Sequence, residues 1–230
     1  WSEYSDIITS ITIDYGVTSI GTSAFTGCSN VQQINIPDSV EHIDPYAFSF
    51  CKGLHTVKLP ASLTLLSEDL FAECANLKNI DIPGRVTEIG ANAFLRCKAF
   101  SLETLPSGIQ RIGAAAFENC GSIENLELPK TLESIGEAAF GGPIIDKASF
   151  DGTLEKWVAI GGDGCGIRSL NSDAMHSGDP GAVVTGGTDS SRRKYAGVEP
   201  EFEDHLRLWR RDPDHEPGND KHTDTLKLRK

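Results

Sequence analysis

Five cysteines stand at one fixed interval: Cys28, Cys51, Cys74, Cys97 and Cys120, each 23 residues from the next. Regularly spaced thiols are the raw material of disulfide frameworks and zinc sites, so they are the first residues to test for chemistry. Zinc needs clustered ligands such as a Cys-x-x-Cys pair, and the chain has none. A sixth thiol, Cys165, lies outside the row and is expected to be exposed, which would make it the one cysteine open to cross-linking. His42 and His55 belong to no Ser-His-Asp or His-Glu-x-x-His arrangement and read as solvated side chains. Gly161-Gly162-Asp163-Gly164-Cys165-Gly166 is glycine-rich, yet it follows no Rossmann-type strand and lacks the lysine of a phosphate-binding loop. It reads as a flexible exit from a domain. These residues point to no enzyme, no metal and no cofactor.

The cysteine interval is part of a larger period. Phenylalanine recurs at Phe25, Phe48, Phe71, Phe94, Phe117 and Phe140, and proline at Pro37, Pro60, Pro83, Pro106 and Pro129, without insertion or deletion. A period this strict marks six coils of a solenoid, each stacked on its neighbours. The fourth coil reads Leu77-x-x-Ile80-x-Ile82-Pro83-x-x-Val86-x-x-Ile89-Gly90-x-x-Ala93-Phe94-x-x-Cys97. Ile80 and Ile82 alternate as a strand with one buried face does. Pro83 removes a backbone donor and ends that strand. Val86 and Ile89 form a second inward stretch, Gly90 fits a tight corner, and Ala93-Phe94-x-x-Cys97 is expected to turn inward through a helical or 3₁₀ turn. Apolar residues then stack in rows: Ile20, Ile43, Leu66, Ile89, Ile112 and Ile135 form one, and Val17, Val40, Leu63, Val86, Ile109 and Leu132 another.

Stacking also settles what the cysteines do. Side chains on successive coils run parallel about 4.8 Å apart, whereas a disulfide needs converging Cβ atoms about 3.8 Å apart. The cysteine row therefore reads as small buried hydrophobes. Three departures from the period stand out. Asp44 and Ser67 replace the corner glycine, with Leu70 beside the second. In the fifth coil Glu103 occupies the place of Ile80, next to Leu102. Either the strand shifts locally or a carboxylate sits in an apolar row, and the cost of the latter favours the shift.

The chain has 230 residues, a net charge of −12 and a pI near 4.9. Residues 1–160 carry 20 acids and 10 bases, and residues 161–230 carry 13 and 11, so the solenoid is the acidic part. Nucleic-acid binding requires a basic face and is not expected. No apolar run approaches the 18 residues of a membrane span, so no membrane insertion is expected. The chain begins at Trp1 and shows no signal peptide or anchoring motif.

The repeated pattern L-x-x-I-x-I-P-x-x-V-x-x-I-G-x-x-A-F-x-x-C resembles the BspA-like leucine-rich repeat family over residues 8–143. Trp1-Ser2-Glu3-Tyr4 with Ile7 and Ile8 is similar to the opening coil of such domains. Phe150-Asp151-Gly152-Thr153, followed by Trp157 and Ile160, resembles their closing segment. The predicted organisation is a leucine-rich repeat solenoid with short parallel strands over residues 1–160, capped at about 1–10 and 144–160. A disordered polar tail over 161–230 follows it. The resemblance implies a secreted or cell-surface recognition module used in adhesion, with no catalytic residues to carry over.

A ligand would sit on the outward residues of the strand face. The candidates are Gln33, Asn35, Thr56, Lys58, Asn79, Asp81, Thr104, Asn125 and Glu127, with Ser10 and Thr12 at the foot of the two rows. This surface is polar and mixed in charge, suited to a protein or glycoprotein, and it lacks the aromatic anchors typical of hot spots. The alternative is a structural spacer with no ligand of its own. In the tail, Phe202, Leu206 and Trp209 fall at i, i+4 and i+7 and would make a partner-binding helix. The solenoid is expected to be monomeric.

Overall fold

The computed structural model describes residues 4–78, 80–167 and 170. Trp1 to Glu3, Asn79 and the tail residues Phe202, Leu206 and Trp209 lie outside them. Each coil has three sides. The first holds β2 (Gln33–Asn35), β4 (Thr56–Lys58), β8 (Ile123–Leu128) and β10 (Ile145–Phe150). The second holds β1 (Ser19–Ile20), β3 (His42–Ile43), β5 (Leu65–Leu66), β6 (Glu88–Ile89), β7 (Arg111–Ile112) and β9 (Ser134–Ile135). Turns make the third. Every strand pair is parallel, and β5, β6, β7 and β9 pair in the 23-residue register that the period predicts.

The core runs along the axis as rows of identical chemistry. Phe48, Phe71, Phe94, Phe117 and Phe140 are fully buried. Their rings stack on each other, and on Phe25, with centroids 5.2–5.7 Å apart and planes within 23°. Phe100 joins the stack, 4.6 Å from Phe94. Each stacked pair contributes about 0.5–1.5 kcal/mol beyond the apolar area it buries. At the first coil the rows fray: Val17 is exposed while Val40 and Val86 are fully buried, and Tyr4 and Ile7 are exposed. The far end is closed by β10 and by α1 (Leu154–Ala159), whose N-cap Thr153 accepts the Lys156 amide and whose Trp157 packs on Phe150.

The turn side has a geometry the sequence reading missed. It holds two consecutive i→i+3 turns, such as Ala93 N–H to Gly90 O and Cys97 N–H to Phe94 O. The third residue of each is left-handed, the signature of a type II turn and not of a helix. One left-handed row is Ser23, Tyr46, Asp69, Asn92, Ala115 and Ala138; the other is Gly27, Phe50, Glu73, Arg96, Asn119 and Gly142. These turns aim every second N–H along the axis. Asn92, Phe94 and Arg96 donate to the carbonyls of Ala114, Ala116 and Glu118, at 2.8–2.9 Å, and Asp69, Phe71 and Glu73 do the same one coil earlier.

The irregular coils adapt locally. Asp44, Gly90, Gly113 and Gly136 each donate their backbone N–H to the carbonyl of the preceding coil. At Ser67 the hydroxyl takes over, donating to Ile43 O. β3 and β5 accordingly do not pair with each other. Gly90, Gly113 and Gly136 are glycine for want of space: a Cβ on Gly136 would lie 2.2 Å from Ala114 N. In the fifth coil Leu102 is buried and Glu103 exposed, which is the local shift the carboxylate demands.

Two expectations need correction. Cys165 is fully buried, and the glycine-rich segment is an ordered continuation of the stack. Gly162–Gly164 forms a 3₁₀ turn, with Gly162 against the Trp157 ring. Gly164 O and Cys165 O accept from Ala138 N–H and Phe140 N–H, taking the place of a seventh coil. Composition misled here because the residues that pack are backbone and one thiol, which carry little hydrophobic signal.

Cys28, Cys51, Cys74 and Cys97 are buried as predicted, Cys120 is half-buried, and all six cysteines are free thiols. Cys51, Cys74, Cys97 and Cys120 each donate an S–H to the carbonyl of the phenylalanine 26 residues earlier, at 3.1 Å. Burial raises the thiol of Cys97 well above its ordinary value, that of Cys120 to about 12 and that of Cys165 to about 11.

Three predictions follow from this packing. Ala115→Gly relieves a left-handed alanine (φ 53°) and raises stability in urea denaturation by about 1 kcal/mol, whereas Ala116→Gly next to it lowers stability. Cys165 and Cys97 resist iodoacetamide at pH 8 in the folded chain and react once urea unfolds it. Cys97, Cys120 and Cys165 hold their protons beyond the ordinary value of 9.0, which outweighs the lowered Cys51, so the fold binds more protons than the unfolded chain there. Stability measured by urea titration therefore falls as pH rises through about 9.

Candidate functional site

On the first side of the solenoid, alternation along each strand turns apolar residues inward and leaves polar ones outside. In β2 Ile34 is buried between exposed Gln33 and Asn35, and in β4 Val57 is buried between exposed Thr56 and Lys58. Parallel register places Gln33 beside Thr56 and Asn35 beside Lys58. Four hydrogen-bonding side chains thus share one square of surface, held by two paired strands.

That square lies in an open trough of about 1220 Å³, bounded on one side by Thr9–Thr12. No strand pairing joins the Thr9–Thr12 segment to β2 among the described residues. The rim is completed by Asn30 and Gln32, which sequence reasoning did not single out, and by His55, which it read as solvated and which is half-buried. Asn30 Nδ2 donates to Asp6 O, and the half-buried His55 places Nδ1 2.6 Å from Gly53 O, so both side chains are tethered. His55 N–H also donates to Gln32 O at 2.8 Å. The signal for these three lay in the loop before each strand, where the repeat consensus is loosest.

Lys58 is the one fully charged side chain among the trough's lining residues. In a domain of strongly negative charge this makes the trough a local exception, furnished with amides, hydroxyls and an ammonium group. Its chemistry is hydrogen bonding. No three His, Cys, Asp or Glu side chains among the described residues converge as metal ligands do.

The remaining candidates do not join this group. Asp81 and Thr104 are exposed further along the axis, where the chain is extended but unpaired, and Asn79 lies outside the described residues. Asn125 and Glu127 stand on β8, where Asn125 Nδ2 donates to Glu127 Oε1 at 2.9 Å, so the two satisfy each other. The eight described positions of the nine predicted resolve into one compact cluster near the first coils and separate polar residues beyond it.

Comparison with known proteins agrees with this architecture. The family model for the BspA type leucine rich repeat region matches in six copies, over residues 3–104 and 87–158. A leucine-rich repeat protein of Eubacterium ventriosum is 29% identical over 59% of this chain, with a TM-score of 0.54. A leucine rich cell surface protein of Faecalibacterium prausnitzii is 32% identical over 64% of the chain, with a TM-score of 0.47. The pneumococcal vaccine antigen PcpA is 24% identical over 63%, with a TM-score of 0.50. The chain spans 37%, 33% and 39% of the lengths of these three proteins. No curated protein matches it. With six uninterrupted repeats in the family's register, the chain belongs to the BspA-type leucine-rich repeat family.

Proposed function

We propose that this solenoid is a non-catalytic recognition module of a secreted or cell-surface protein, and that it holds a protein or glycoprotein ligand in the trough of its strand face. The observation that supports this most is the register of β2 on β4. It gathers Gln33, Asn35, Thr56 and Lys58 on a rigid two-stranded base beside an open concavity. Leucine-rich repeat folds serve generally in protein interaction, and a preformed base spares the ligand much of the ordering cost of binding.

The test is binding of the purified chain to an array of matrix proteins and glycans, beside a Gln33→Ala/Asn35→Ala/Thr56→Ala/Lys58→Ala variant. All four side chains are exposed, so the variant keeps its fold. Saturable binding is expected to fall at least about tenfold in the variant and to persist in Asn125→Ala/Glu127→Ala. Undiminished binding by the folded quadruple variant sinks the assignment. A core change separates binding from stability: Phe94→Ala should cost about 3–5 kcal/mol in urea denaturation while leaving affinity at low temperature unchanged.

A further inference from the structure

The aromatic anchors that the strand face lacks are on the turn side. Left-handed backbone suits glycine, asparagine and aspartate, and bulky side chains there are strained. Five of the six coils place small or polar residues at both left-handed positions. The second coil alone places rings at both, Tyr46 at φ 62° and Phe50 at φ 60°. Neither ring gains the burial that would offset its conformational cost: Tyr46 is 40% exposed and Phe50 48%.

Their surroundings are asymmetric. The first coil offers only Ser23 and Gly27 at the equivalent positions, so no large side chain of that row stands beside the rings. The third coil brings carboxylates. Tyr46 N–H donates to Glu68 O at 3.1 Å, and the negative charges of Asp69 first and Glu68 second push the Tyr46 hydroxyl's pKa above its ordinary value. Asp69 also accepts from Asn92 Nδ2 at 3.2 Å, Glu73 is paired with Arg96 at 2.8 Å, and Glu68 is exposed.

Exposed rings edged by carboxylates attract a planar cation. A guanidinium stacks on an aromatic face within about 6 Å of its centre and donates in pairs to a carboxylate. We infer that Tyr46 and Phe50, together with Glu68 and Asp69, form a second docking surface, which takes an arginine-bearing segment of a partner protein. The acidity of the whole solenoid favours the same class of partner, through long-range attraction.

The probe is a fluorescent peptide of alternating arginine and glycine, titrated against the full chain in dilute buffer. The comparison is Tyr46→Ser/Phe50→Gly, which gives the second coil the residues of the first. This variant keeps the net charge and relaxes both left-handed positions, so its melting temperature should be no lower than the parent's; Phe50→Gly alone serves as a second, milder variant. The parent is expected to bind the peptide about tenfold more tightly than the double variant, the scale of a desolvated cation–π contact. Glu68→Gln/Asp69→Asn should weaken binding comparably, and the lysine counterpart of the peptide should bind less tightly than the arginine one. Equal affinity of parent and ring-less variant would show attraction by net charge alone and overturn the inference. So would absence of binding by the parent, or titration of the rings by a neutral glycan in place of the peptide.

Discussion

The turn side of each coil passes three backbone N–H groups to the next, and the stacking of every other element depends on that transfer. Every buried backbone N–H and C=O needs a partner, and a sharp turn cannot pair all of its own groups internally. Here two successive left-handed residues flank Ala-Phe, so that alternate donors close the turn locally while the rest point along the axis. The thiol of the next coil then fills the remaining acceptor site on the carbonyls of Phe25, Phe48, Phe71 and Phe94. One phenylalanine thereby anchors three interactions at once: ring stacking, a donated N–H and an accepted S–H. That arrangement tolerates no change of length, which is why the period stays at 23 residues through irregular coils such as the fifth.

Backbone strain is the cost of this arrangement. Among the described residues ten non-glycine residues sit at positive φ, each at about 1–2 kcal/mol. The strain is bearable because each coil buries a full cross-section of apolar side chains between its neighbours, leaving no buried side-chain polar atom unpaired among the described residues. It also explains the ends. A coil with a neighbour on one side only satisfies half its donors, and at the last coil Gly164 O and Cys165 O accept what a further coil would have accepted. Glycine suits that segment because it must approach Trp157 and the Phe140–Gly141 backbone closely.

Much of the fold was legible in the sequence because a repeat states its rule six times. The apolar and phenylalanine rows gave the core and the parallel register, whereas the strand expected at Ile80-x-Ile82 does not form, that stretch of the fourth coil pairing with no strand among the described residues. The turn geometry was not legible, since Tyr46, Glu73 and Arg96 carry no sign of left-handed backbone, and only Gly27, Gly142, Asn92 and Asn119 hint at it. Cys165 was misplaced for a related reason: its burial is set by backbone hydrogen bonds from the sixth coil, which no hydropathy pattern records. The strand face was readable as a list of outward positions but not as a site. Gln33, Asn35, Thr56 and Lys58 are distinguished from Asn125 and Glu127 by pairing and by self-satisfaction, both of which need coordinates.

The two surfaces argue for a division of labour within one short rod. The strand-face trough is built from amides, hydroxyls and one ammonium group on paired strands, so it can discriminate by hydrogen-bond geometry and has little apolar area with which to bind tightly. The Tyr46–Phe50 surface supplies the opposite: rigid aromatic area and carboxylates, with few directional donors. Both lie in the first three coils, while the later coils carry surface ion pairs such as Arg111 with Glu88 at 2.6 Å, which contribute little to stability or specificity. The early coils therefore concentrate the features that recognition requires. The later coils and the Trp157 cap supply the cooperative stack that holds those features rigid, because a solenoid coil cannot keep its shape without neighbours.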